Sequence, residues 1–314
     1  MRRTTRRARR GDNSRVKLLF TGIAILLVGA FPEQRPVDLA TAQRLNQLLT
    51  AKERAFRGTF AVAFKDLEDS RTFLYRAHEM MHAASLMKVP VMIEVFRQAE
   101  EGRFRLQDSL VVHNRFHSIV DASPYTLRLA DDSDDFAYTQ IGRKMAIRDL
   151  VQQMITVSSN LSTNLLLELV GPDRVTASMR ALGAARIEVR RGLEDQRAFQ
   201  QGINNETDAY DMLLILEAIA EGKAASPGAC AQMIEILCQQ KLNSKIPALL
   251  PDSIRVAHKT GSISGIDHDA GILYFPSGRS CVLVVLSKGI ADHQRAASGI
   301  AEITRAILRQ MQLI

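Results

Sequence analysis

Apolar residues recur at two spacings along this chain, and the spacing changes with position. Residues 38–53 carry leucines on one helical face (Leu45, Leu48, Leu49), which predicts a helix. Residues 59–66 then alternate as Phe60, Val62 and Phe64, the period of a half-buried strand. Glu68-Asp69-Ser70 marks a turn and Thr72–Tyr75 a second strand. A long helix is predicted from Ser85 to Gly102, with Pro90 tolerated near its first turn. Helical spacing returns at 147–157, 160–170, 173–182, 208–222 and 227–240. Strand patterns follow at 253–259, 270–275 and 280–287, the last two separated by a Pro-Ser-Gly turn at 276–278, and an amphipathic helix spans 291–312. Strands, then helices, then strands again predict a sheet built from both ends of the chain with a helical domain inserted between them. The expected division is an α/β domain from 32–82 with 243–314, and a helical domain over 83–242. No internal repeat is visible.

Between the first long helix and the helical run, residues 113–146 are polar and irregular. Their acidic run, Asp131-Asp132-Ser133-Asp134-Asp135, reads as a solvated loop. It lacks the glycine and distal glutamate of a calcium loop.

The chain has 314 residues, 46% of them hydrophobic, with no Trp and a formal net charge of +7. That is a packed globular composition, which excludes a disordered, collagenous or polytopic membrane protein. Charge placement excludes a basic nucleic-acid face. Residues 1–30 hold eight basic side chains and one acid, and the remainder holds 33 of each sign. The basic stretch precedes Leu18–Phe31, fourteen residues without charge. This run is short for a membrane span of about 20 residues and fits a signal-peptide core. Residues 1–30 are therefore expected to be a signal peptide, cleaved after Ala30. An uncleaved anchor formed by 18–31 is the alternative. Either places the folded part outside the cytoplasm, periplasmic or secreted. The expected molecule is a monomer with no membrane contact beyond this segment. The cysteines, Cys230, Cys238 and Cys281, are odd in number. Eight helical residues separate the first two by about 12 Å, too far for a disulfide. All three read as small apolar residues.

Three short motifs could carry chemistry. In Ser85-Leu86-Met87-Lys88, Ser and Lys three apart share a helix face. A hydroxyl becomes a nucleophile when a neighbouring base takes its proton, and a desolvated lysine can be that base. In Ser158-Ser159-Asn160, a turn between two helices can aim a hydroxyl and an amide at one cleft, although Ser and Asn are also ordinary helix caps. In His258-Lys259-Thr260-Gly261-Ser262, a strand places Lys259 and Gly261 on one face. Gly261 there admits close approach to the backbone. The N–H groups of Ser85 and Ser262 could together form an oxyanion site. A competing pattern, His78-Glu79-Met80-Met81-His82, fits the zinc motif His-Glu-x-x-His. It directly follows a strand, where a long helix would be needed, and reads as a strand-to-helix connection. His113 and His117 read as surface residues.

Each motif alone is common. In this order they resemble the penicilloyl serine transferases, specifically the class A β-lactamase branch, from about residue 38 to the C-terminus. The resemblance implies an α+β fold of the β-lactamase/transpeptidase type, an antiparallel sheet with flanking helices and an inserted all-helical domain. It implies Ser85 as acylated nucleophile, Lys88 as its proton partner and Ser158 as relay to the ring nitrogen. Asn160 would position the substrate amide, and Lys259 and Thr260 its carboxylate, beside Gly261 and Ser262. No metal or organic cofactor is implied, and the substrate would be a β-lactam or a peptidoglycan-like peptide. The family's Glu-x-x-x-Asn element matches Glu194 to Ala198, so its Asn is missing here. Glu194 is the best-placed deacylating base; Asp195 and Glu206 are weaker substitutes. Without such a base the protein would be a D,D-peptidase, an esterase or a β-lactam sensor. The stretch 113–140 is also longer than its family counterpart.

Overall fold

In this computed structural model, Met1 and residues 34–314 are described; the expected leader beyond Met1, its cleavage point and the whole of the 18–31 run lie outside them. The five predicted strands, joined by a two-residue strand at Arg35–Pro36 that the pattern does not predict, form one six-stranded sheet. In chain order its strands are β1 (Arg35–Pro36), β2 (Thr59–Asp66), β3 (Arg71–Tyr75), β4 (Arg255–Ile263), β5 (Ile266–Tyr274) and β6 (Ser280–Lys288). Their spatial order is β1-β3-β2-β6-β5-β4. All neighbours are antiparallel except β1 and β3. Val284 pairs with Ala63, so the C-terminal hairpin is zipped onto the N-terminal strands. This joins the two chain ends, as the pattern of strand segments requires.

The helices of ten or more residues are α1 (Leu39–Phe56), α2 (Lys88–Glu100), α3 (Ile147–Thr156), α4 (Asn160–Val170), α5 (Pro172–Ala181), α6 (Ala209–Ala220), α7 (Pro227–Cys238) and α8 (His293–Gln310). The alternation of the strands sorts the sheet's two faces. Phe60, Val62, Phe64, Leu283 and Val285 pack with Leu45, Leu49 and Ile303 of α1 and α8. Ala61, Ala63, Ala257, Ala270, Val282 and Val284 belong to the other core, with α2, α4 and α6. Small residues on that face let helices approach the backbone closely, and dense packing makes volume changes there costly. Cys230 and Cys281 are buried free thiols and Cys238 is half-buried.

Two local features depart from the sequence pattern. The helix expected from Ser85 begins as a 3-10 turn, Ala84–Met87, and becomes α-helical at Lys88. Pro90 falls in the first turn of α2, where its missing N–H costs no bond. The acidic run is not simply solvated. Asp132 is half-buried against the unpaired N–H groups at the start of α4, and Asp134 is buried, accepting from the Phe136 N–H of its own loop at 3.0 Å.

One buried ion pair ties sheet to helix. Lys65 of β2 donates to Glu217 of α6, and both are almost wholly buried. Glu217 Oε2 has no hydrogen-bond partner among the described residues. Replacing Lys65 alone strands a buried carboxylate. Lys65→Met is expected to cost about 3–5 kcal/mol in urea unfolding, and Lys65→Met with Glu217→Leu to recover most of it.

Candidate active site

The 3-10 turn that carries Ser85 is set by its neighbours. Ala83 N–H donates to Asn205 O at 2.8 Å, and Ala84 N–H donates to His82 Nδ1 at 3.0 Å. Burial lowers His82 to about 4, so its ring stays neutral and can accept that bond. Ala84 has φ +46°, a conformation an L-residue avoids. Among the eight non-glycine residues with positive φ in the described part of the chain, two others are Ser158 (+64°) and Glu194 (+60°). Strained backbone thus occurs at three places in the site.

Strand β4 runs beside this turn. A Cβ built on Gly261 would lie 3.1 Å from Ala84 Cβ and 3.2 Å from the Ser85 nitrogen. A side chain there would press both back by a few tenths of an ångström, so glycine gives the strand its close approach to the Ser85 N–H. That close approach brings the 260–262 backbone next to Ser85, the arrangement an oxyanion pair needs.

Two lysines converge on one hydroxyl. Lys88 Nζ lies 3.1 Å from Ser158 Oγ, and Lys259 Nζ lies 3.0 Å from the same atom. Lys88 also donates to Ser158 O at 2.6 Å and Asn160 Oδ1 at 2.9 Å. Lys259 donates to Thr260 O at 2.9 Å. Both side chains are fully buried. Burial pulls Lys88 down to about 7, against the opposing charges of Asp132, Glu194 and Asp134. Burial and the neighbouring Lys88 charge push Lys259 well below the ordinary lysine range. An amine near neutrality has a free lone pair on a substantial fraction of molecules at pH 7, so it can take a proton. A hydroxyl between an amine and an ammonium can donate to one while accepting from the other.

Glu194 lies against this group. Its Oε1 accepts from Asn160 Nδ2 at 3.3 Å and its Oε2 from Arg128 N at 3.0 Å. Burial raises its pKa, with Asp131 and Asp132 adding repulsion and the two donors opposing it. The flanking backbone is clamped by Asn164, whose Oδ1 accepts from Leu193 N at 2.7 Å and whose Nδ2 donates to Leu193 O at 3.1 Å. The two substitutes lie elsewhere. Asp195 caps the helix Gln196–Gln200 and holds Ser118 and the Ile119 N–H. Glu206 pairs with His82 in a short strand. Ala198 is buried and brings no amide to the site.

Of the residues singled out from sequence, Lys88, Ser158, Asn160, Glu194 and Lys259 form one hydrogen-bonded group, with Ser85 and Gly261 adjoining it along the 3-10 turn and β4. Thr260 is buried beside them. The Ser262 hydroxyl is turned away, donating to Asp267 Oδ1 at 2.7 Å and accepting from Lys245 Nζ at 2.8 Å. That leaves its N–H as the group relevant to the cleft. Sequence reasoning missed Lys245 and Asp132, whose partners are distant in sequence, and Asp267, which faces Ser262 across the β4–β5 hairpin; Asn164, one turn after Asn160 on α4, was the one such residue with a readable signal. The histidines of His-Glu-x-x-His occupy a turn and a two-residue strand, Met81–His82, rather than a helix. Among the described residues no cluster of three His, Cys, Asp or Glu could hold a metal.

A family model described as the beta-lactamase enzyme family matches residues 40–311. The chain is similar to beta-lactamase CTX-M-8 of Citrobacter amalonaticus, 27% identical over 275 residues, which are 86% of this chain and 88% of that protein. It is also similar to the crystal structure of a beta-lactamase from Sphaerobacter thermophilus DSM 20745. The TM-score is 0.74 at 28% identity, covering 88% of this chain and 98% of that one. A mutant of PBP-A, solved as an acyl-enzyme complex with penicillin G, shares the fold with a TM-score of 0.75 at 22% identity, covering 90% and 100% of the two chains.

The close contact at Gly261 gives a direct test of the geometry. Gly261→Ala is expected to push β4 off the Ser85 N–H by a few tenths of an ångström. Reaction of Ser85 with labelled penicillin should slow by roughly 10- to 100-fold, while the melting temperature moves by only a few degrees. Acylation at the original rate would show that this approach is irrelevant to the chemistry.

Proposed function

The chain belongs to the β-lactamase enzyme family, and from that premise we propose that it is an exported serine hydrolase that opens β-lactam rings through an acyl group on Ser85. The observation that carries this reading is the Ser158 hydroxyl lying within 3.1 Å of two buried lysine amines. Neutral Lys88 takes the Ser85 proton, directly or through Ser158, and Ser85 Oγ attacks the ring carbonyl carbon. The N–H groups of Ser85 and Ser262 face the developing oxyanion. As the ring C–N bond breaks, the Ser158 hydroxyl gives its proton to the departing nitrogen and regains one from the lysine pair. Asn160 holds the substrate amide, and Lys259 with Thr260 attracts its carboxylate. Glu194 then takes a proton from water, the water oxygen attacks the acyl carbon, and Ser85 Oγ leaves with a proton.

One observation favours a second reading. Ala198 stands where the family pattern has Asn, so a single carboxylate and no paired amide would hold the deacylating water. Slow deacylation would make the protein a long-lived acyl acceptor, acting on D-Ala-D-Ala peptides or as a β-lactam sensor.

The fate of the acyl group separates the readings. Intact-mass measurement with nitrocefin or penicillin is expected to show a transient adduct with continuing turnover, absent in Ser85→Ala. Glu194→Ala should accumulate the adduct, lowering turnover by about 10²-fold or more. A stable adduct on the unaltered chain supports the second reading. No adduct in any form removes Ser85 from the chemistry.

The Lys88 shift fixes the direction of pH dependence. The base form predominates above its pKa of about 7. The acylation rate constant is therefore expected to rise with pH up to near 7 and then level. Deacylation, dependent on ionised Glu194, should fail only on the acid side, at a pH above the ordinary carboxylate range because its pKa is raised. Stopped-flow measurement of each step across pH 4–9 distinguishes this from acylation that is flat in pH.

A further inference from the structure

The start of α4 presents Asn160 to the site, and most of what holds it there lies outside its own motif. The orphan N–H groups of that helix can be accounted for one by one. Ser159 N–H donates to Gln153 O at 3.2 Å, and Ser162 N–H to Ser159 Oγ at 3.2 Å, while Ser159 O accepts the first regular helical bond, from Thr163 N–H. That uses up Ser159. The remaining two, Asn160 N–H and Leu161 N–H, donate to the carboxylate of Asp132, at 2.9 Å and 3.0 Å. Asp132 comes from the irregular loop 28 residues upstream of Asn160. The loop is pinned there: Ser133 Oγ donates to Val157 O at 2.7 Å, and Asn160 Nδ2 donates to Asp131 O at 3.2 Å.

We infer that Asp132 is a positioning residue for the proposed reaction: by gripping the Asn160 and Leu161 N–H groups it fixes the amide that in turn holds the Lys88 amine. The assignment rests on the reading of Ser85 and Lys88 given above. Two further observations agree with it. A carboxylate at this position faces the positive end of α4, where a negative charge is favoured. It also adds to the charges around Lys88. Facing that amine are Asp132 and Asp134 from the loop, Glu194 from the 191–195 segment and Lys259 from β4. Among the carboxylates, Asp132 contributes most to favouring the ammonium form. Asp132 thus helps to fix the place of Lys88 and, against the dominant effect of burial, raises the pH at which it becomes a base.

The test separates placement and charge from mere support of the fold. Asp132→Asn keeps the shape and removes the charge; Asp132→Ala removes both. Two readouts are taken on the full chain. One is the pH dependence of acylation by labelled penicillin. The other is the titration of Lys88 by its 13Cε signal, assigned by its loss in Lys88→Arg. In Asp132→Asn both the rate limb and the Lys88 titration should move to lower pH by about half a unit or more, since a favourable charge has gone. In Asp132→Ala the plateau rate should also fall about tenfold or more as Asn160 loses its grip. A uniform loss of rate with both pH values unmoved would mean that Asp132 only supports the fold, and would overturn the inference. So would unchanged rates and titrations. If the unaltered chain is not acylated at all, the proposed function fails. The Lys88 titration still decides the role of Asp132: a shift in Asp132→Asn upholds it and no shift rejects it.

Discussion

Two fully buried lysine side chains meeting at one serine hydroxyl are the constraint around which this site is built. Moving an ammonium out of water is expensive, and two close together also repel. The structure responds by lowering the proton affinity of both and by giving each fixed acceptors. For Lys88 these are a carbonyl, a hydroxyl and an amide oxygen; for Lys259 they are the same hydroxyl and a carbonyl. Such an arrangement is tolerable only if its framework does not relax. Lys88 therefore opens a helix packed into the core, and Lys259 lies in a strand paired to Ala270 at the sheet's edge. What would be a liability for folding becomes a poised base for chemistry.

Much of this was legible in the sequence, for a physical reason. Regular elements announce themselves by periodicity. Helix α4 fell on the predicted residues 160–170 and β2 on 59–66, because each buries a defined face that the other residue types cannot supply. The three motifs were legible because each is local: Ser85 and Lys88 on one turn, Ser158 and Asn160 on another, Lys259 and Gly261 on one strand. What they do together was not local. That Ser158 would stand between both amines depends on how α2, α4 and β4 cross, and only the resemblance carried that information.

The misses share one cause. Asp132 sits in a stretch with no period, and its partners lie 28 and 29 residues away. An acidic run reads as solvated unless one knows which N–H groups lack acceptors nearby. The helix expected from Ser85 begins instead as a 3-10 turn because Ala84 is held at positive φ between His82 and β4, a tertiary demand that overrides propensity. Lys245 was invisible for the same reason: its hydrogen bonds to the Gly261 carbonyl and the Ser262 hydroxyl cross from a separate segment.

The two halves of the proposed reaction rest on different kinds of structure, and this bears on how the activity can vary. The groups proposed for acylation stand on α2, α4 and β4 or on turns packed directly against them, with positions over-determined by the core. The carboxylate proposed for deacylation stands on an irregular segment. It is held by one amide, one backbone N–H from the 113–140 stretch and the Asn164 clamp. Changes in loop length or in a single partner, such as Ala at 198, can therefore retune deacylation while leaving the lysine–serine group intact. Loops tolerate such change far better than packed helices do. A fold organised in this way can pass from hydrolase to long-lived acyl acceptor without rebuilding its nucleophile, which is why the acyl lifetime, rather than the presence of Ser85 and Lys88, is the property that distinguishes the readings.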